Sequence, residues 1–168
     1  MPKFRIVIRM GALLIALTAP QTVYASAQKG IQAFQRAKYE EALKYLLPAV
    51  EAGEASAMYV LGQMYASGRG IAKDEKAATD LFLKAANLGD PNAQQSLGSA
   101  LMLGEGIEQD MVEALKWFII SARAGNKGAI SYTQKVGRFL SRDMQREARG
   151  KALEWQKANP RKDPDARQ

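Results

Sequence analysis

The chain has 168 residues, 47% of them hydrophobic, with 24 basic and 17 acidic side chains and a formal charge of +7. That is room for an export leader and one modest domain, and it is too apolar for a disordered chain. With no cysteine and no histidine, it has no disulfide, lipid-bearing cysteine, thiol nucleophile or imidazole base, and no thiolate or imidazole metal ligand.

Residues 1–27 read as a signal peptide. Lys3, Arg5 and Arg9 supply a basic start, and an apolar run from residue 10 to 19 is broken only by Thr18. Pro20 is expected to end any helix there. Small residues then stand at cleavage spacing in Ala25-Ser26-Ala27, with Val23-Tyr24-Ala25 competing. The apolar run falls short of the ~20 residues a membrane span needs. The mature chain is therefore expected to start at Ser26 or Gln28, to lack a transmembrane segment, and to reside in the periplasm or outside the cell. No adjacent arginine pair marks it for export in the folded state.

Residues 30–53 (GIQAFQRAKYEEALKYLLPAVEAG) follow, with Pro48 expected to kink the second of two short helices. Residues 54–89 and 90–125 then align without a gap at an offset of 36. Ala57 meets Ala93, Leu61-Gly62 meets Leu97-Gly98, and Gly68-x-Gly70 meets Gly104-x-Gly106. Asp74 meets Asp110, Ala78 meets Ala114, Phe82 meets Phe118, and Gly89 meets Gly125. Self-similarity of this length marks a repeat architecture.

Each unit reads as two helices. Ala57, Leu61, Met64 and Tyr65 lie on one face of the first at helical spacing. Gly62 on that face permits a close approach, and Gly68 can take the left-handed cap. Asp74 and Asp110 are placed to cap the second helices, and Asp110 with Glu113 has capping-box spacing. Ala78, Leu81, Phe82 and Ala85 make the buried stripe of the second helix. Asp90-Pro91 opens the next unit with a cap residue and a proline at the first helical position.

The pattern A-x-x-x-L-G-x-x-Y-x-x-G-x-G-I-x-x-D-x-x-x-A, closing in K-A-A-x-x-G, resembles the Sel-one-like repeat, a relative of the tetratricopeptide repeat. The resemblance implies an all-α fold, a right-handed superhelical solenoid of antiparallel helix pairs that serves as an adaptor for protein complexes. It implies no catalytic residues.

The flanks read as atypical end units. In residues 28–53, Ala42, Leu46 and Gly53 keep phase with Ala78, Phe82 and Gly89, but the turn between helices is four residues shorter. This resembles an ordinary tetratricopeptide unit. Residues 126–158 read as a degenerate repeat and a capping helix. Ala129 stays in phase there, Gln134 stands where the repeats have glycine, and Ala148, Leu153 and Trp155 are candidates to cover the last apolar face. Residues 159–168, with two prolines and mixed charge, read as a frayed tail.

A search for chemistry finds no catalytic set, no metal site and no cofactor motif. Ser26-Ala27-Gln28-Lys29 has a serine–lysine spacing, but it sits at the cleavage junction. The G-x-G loops lack the following Gly-Lys-Ser/Thr of a phosphate loop. Trp117 matches the core position of Leu81, while Tyr59 fits core packing and ligand contact equally well.

Two surfaces remain for a partner. In this repeat class the first helices line the concave side, so residues off the packing stripe should face a ligand. These are Ser56, Tyr59 and Gln63, then Asn92, Gln95 and Ser99, then Ser131, Lys135 and Arg138. Their amides and hydroxyls suit a peptide backbone. The second surface is charge. Residues 28–126 carry −2 and residues 127–168 carry +6, and Arg138, Arg142, Arg146 and Arg149 form one basic stripe if their helix is continuous. Such a stripe would meet an anionic lipid, protein or envelope polymer.

The sequence therefore reads as an exported, non-enzymatic scaffold or adaptor holding a protein or peptide. The alternative is an envelope enzyme or polymer-binding factor acting on or contacting peptidoglycan or another anionic envelope component. Export argues against a nucleic-acid partner.

Overall fold

In a computed structural model describing residues 11–160, with side chains from residue 21, the repeat pattern becomes a row of helix pairs. Lys3, Arg5, Arg9 and the tail from residue 161 lie outside the described residues, and with them that part of the leader and tail readings. Eight helices are present among the described residues: α1 (Gly11–Gln35), α2 (Tyr39–Glu51), α3 (Ala55–Ser67), α4 (Glu75–Asn87), α5 (Pro91–Leu103), α6 (Met111–Arg123), α7 (Lys127–Phe139) and α8 (Arg142–Ala158). None of them is long and apolar enough to cross a membrane.

Local chemistry sets the ends. Gly68 and Gly104 close α3 and α5 in the left-handed conformation, at φ 66° and 76°. Asp74 accepts from the Ala77 amide, Asp90 from Ala93, and Asp110 from both Val112 and Glu113. The expected capping box is only half formed. The Asp110 amide donates to the Leu101 carbonyl, and the Glu113 carboxylate is held by Lys116 and Lys151 at 2.7 and 2.8 Å. The helix expected to end at Pro20 runs on as α1, while Pro48 stands inside its helix, α2, as read. A proline removes one helical hydrogen bond, but the turns on either side can continue the helix.

Packing follows the repeat. α1 lies on α2, α3 on α4 and α5 on α6, and each pair docks on the next. The fully buried large side chains Leu46, Met64, Leu97 and Phe118 stand at the stripe positions, surrounded by buried alanines such as Ala42, Ala57, Ala78, Ala93 and Ala114. Each large apolar side chain taken out of water contributes roughly 1.5–3 kcal/mol, and the alanines let helices approach. Three helix glycines lie nearest to the side chains of the partner helix. A Cβ on Gly62 would stand 2.6 Å from Phe82, on Gly98 2.8 Å from Phe118, and on Gly30 2.8 Å from Leu46. Units also lock through their loops: a Cβ on Gly106 would lie 2.2 Å from the Glu75 carbonyl oxygen, and Thr79 donates to the Glu105 carbonyl at 2.9 Å.

The last two helices depart from the hairpin rule. α8 takes α6, not α7, as its main packing partner, so α7 and α8 both lie against α6. Trp155 meets Trp117 edge-on at 5.7 Å, Lys151 bridges to Glu113, and the Arg123 guanidinium donates to the Gln156 amide oxygen. Ala148 and Ala152 are fully buried, but Leu153, expected to help cover the stack, is 46% exposed. The face of α8 toward α6 is set by 148, 152 and 155, at helical spacing, and 153 falls off it.

Candidate partner-binding groove

The first helices of consecutive units converge on one open cleft of about 470 Å³. α3 supplies Gln63 and Ser67, α5 supplies Ser96 and Ser99, and Phe34 and Phe82 add apolar surface. Arg69 and Lys73 flank it on one loop, with Glu75 and Glu105 also at its edge. Lys73 is paired with Glu75 at 2.7 Å. The cleft thus combines hydroxyls, an amide, aromatic faces and both signs of charge, which suits a peptide more than a single small anion.

The structure sorts the nine groove candidates. Gln63 and Ser99 line the cleft. Tyr59 sits beside it, half-buried, with its ring 6.1 Å from Phe82 and its hydroxyl accepting from Gln63 Nε2 at 2.8 Å. Burial first, and then the charge on Asp90, push that hydroxyl above its ordinary value, against the hydrogen bonds from Ser96 and Gln63. Tyr59 therefore positions Gln63. Ser56 is part-buried, and its hydroxyl has no hydrogen-bond partner among the described residues.

Asn92 and Gln95 face the next unit. Asn92 accepts from Asn126 Nδ2 at 3.2 Å, and a Cβ on Gly128 would lie 2.6 Å from Gln95 Oε1. They join α5 to α7 and do not line the cleft. Ser131, Lys135 and Arg138 are exposed on α7, and the Lys135 ammonium lies 5.6 Å from the Tyr132 ring centre. The sequence reading missed Ser67, Ser96 and Arg69. Ser96 had a signal, since it is polar where the preceding repeat has Val60.

The basic stripe is not continuous. α7 ends at Phe139 and α8 begins at Arg142, so Arg138 lies on a different helix from the other three. Leu140 is extended and Ser141 caps α8 by accepting from the Met144 amide, which turns the chain between them. Arg142, Arg146 and Arg149 remain exposed on one face of α8. Arg146 pairs with Asp143 at 3.1 Å, and Arg149 borders a small cleft with Thr133 and Gln145.

Stacked helix pairs with an open groove and no strand among the described residues define a helical repeat solenoid. The chain belongs to the Sel1 repeat family, which it matches at residues 26–54, 55–90 and 91–126. Such repeats commonly mediate protein–protein interaction, and the family is generally non-enzymatic.

A protective antigen of uropathogenic Escherichia coli strains, displaying an SLR fold, is similar with a TM-score of 0.78 and 27% identity, over 89% of this chain and 32% of that one. A Sel1 repeat protein from Oxalobacter formigenes gives 0.64 and 28%, over 77% and 55%. The chain thus spans about a third of the first and just over half of the second. Cysteine-rich protein B of Helicobacter pylori gives 0.60 and 22%, over 70% and 92%, a likeness of fold alone. No curated protein matches the chain significantly.

Proposed function

We propose that this protein is an exported scaffold or adaptor that holds a protein or peptide in the cleft between α3 and α5. The observation that carries the reading is that two successive repeats both supply polar side chains to one cavity: Gln63 and Ser67 from one, Ser96 and Ser99 from the next, with Gln63 and Ser99 at equivalent repeat positions. A neutral hydrogen bond contributes about 0.5–1.5 kcal/mol net, so several such contacts with the apolar floor hold an extended segment without ion pairs. The leader reading supports a periplasmic or secreted site of action. The absence of histidine and cysteine weighs against an envelope enzyme.

A photo-crosslinking residue at Ser99, read in whole cells against the same residue at exposed Asp80 on α4, tests this. A protein captured specifically from Ser99 supports the cleft. Equal capture from both positions, or none from Ser99, refutes it.

A second reading has its own observation. Arg142, Arg146 and Arg149 lie exposed on one face of α8, within a segment carrying +6 over residues 127–168. That face would contact an anionic envelope component such as lipid headgroups or a wall polymer. Co-sedimentation with anionic vesicles, lost at high salt, supports it.

A further inference from the structure

We propose that signal peptidase cuts after Ala25, so that the mature chain begins at Ser26. This rests on the export reading above and adds the bond that is broken. By side-chain size alone two bonds qualify, the one after Ala25 with Val23 two residues before it, and the one after Ala27 with Ala25 two residues before it.

The folded chain separates them. Ala27 has no exposed surface and belongs to the core that joins α1, α2 and α3, with Ala33, Ala42, Leu46 and Ala57. One residue earlier, the Ser26 hydroxyl donates to the Tyr45 carbonyl at 3.2 Å and pins α1 to α2. Tyr24 and Ala25, on the other side of the proposed bond, are exposed.

Hydrolysis after Ala27 would discard a fully buried methyl group and the Ser26 hydrogen bond together. The core would keep a void where Ala27 stood, and voids in packed interiors are destabilising. Hydrolysis after Ala25 removes neither. The family match points to the same boundary independently, since its first repeat starts at residue 26. The enzyme acts on the chain as it is exported, before α1 can fold, so later burial of Ala27 does not shield the bond.

The test expresses the full chain in a Gram-negative host and measures the intact mass of the product in the periplasmic fraction. A chain beginning at Ser26 is the expected result. One beginning at Gln28 overturns this inference and leaves export standing. Retention of Met1 overturns export and the site with it. Purified chains starting at Ser26 and at Gln28 provide a second measurement, by thermal unfolding. The Gln28 form is expected to melt about 3 °C or more lower, and equal midpoints would remove the structural basis for preferring Ala25.

Discussion

Substituting Gly98 by valine tests the repeat packing where α5 meets the buried Phe118 ring. A Cβ there would stand 2.8, 2.9 and 3.1 Å from three ring carbons of Phe118, and valine adds two further methyls. The ring has nowhere to go, because Phe118 is fully buried and stacked on Tyr132 at 5.0 Å with an 11° interplanar angle. Either α5 and α6 separate or the ring leaves its rotamer. Overpacking of this kind costs about 1–3 kcal/mol, and valine recovers only ~0.3 kcal/mol of helix propensity over glycine. A net loss of about 2 kcal/mol lowers the melting midpoint by roughly 6–10 °C at this size. In a linear stack the damage passes to neighbouring units.

Thermal unfolding followed by circular dichroism reads the effect, with Gly137→Ala as control. Nothing lies within 4 Å of a Cβ at Gly137, so that variant should gain up to about 1 kcal/mol from helix propensity. Phe118→Leu introduced into Gly98→Val should cost less than the two changes summed, since the smaller side chain relieves the clash. A Gly98→Val protein that melts like wild type would refute the packing argument.

Three further outcomes are expected. Burial raises the Glu113 carboxyl, but hydrogen bonds and charge from Lys116 and Lys151 outweigh it and leave it below its ordinary value. The unfolded chain then binds the more protons, so stability is present above the unfolded value of about 4.3 and falls as pH drops from there through the lower folded value. Glu113→Gln should flatten this acid loss in pH-dependent melts, and parallel curves for the two proteins would contradict it. Trp155→Ala removes the half-buried ring that meets Trp117 at 5.7 Å; at ~1–3 kcal/mol, below the ~3–5 of a fully buried tryptophan, α8 should become the first helix released by limited proteolysis, and unchanged protection would exclude its role as the cap. Once a partner is found, Gln63→Ala with Ser99→Ala should weaken binding several-fold or more with little salt dependence. By contrast, binding through α8 would be lost in Arg142→Gln with Arg146→Gln, and would fade as the screening length shrinks from ~10 Å at 0.1 M to ~3 Å at 1 M; sensitivity of the second pair alone would move the functional surface to α8.

The offset between residues 54–89 and 90–125 determined the helix pairs, their caps and the positions of the core, because those depend on local spacing. Gly68 and Gly104 end α3 and α5, Asp74 and Asp110 cap α4 and α6, and Phe82 and Phe118 are buried, as their periodicity required. Gln63 and Ser99 were legible as groove residues by the same logic. Which polar residues face the open cleft and which face the next helix was not legible, because that depends on how far one unit is rotated against another. Asn92 and Gln95 are turned toward α7, while Ser96, one residue on, reaches the cleft. The arginine stripe failed for a related reason. Spacing by threes and fours places side chains on one face only while the helix continues, and Leu140 and Ser141 turn the chain so that α8 packs on α6. Tertiary structure alone decided that crossing, since it is the Trp117 ring and the Glu113 carboxylate on α6, far from α8 in sequence, that hold Trp155 and Lys151 in place.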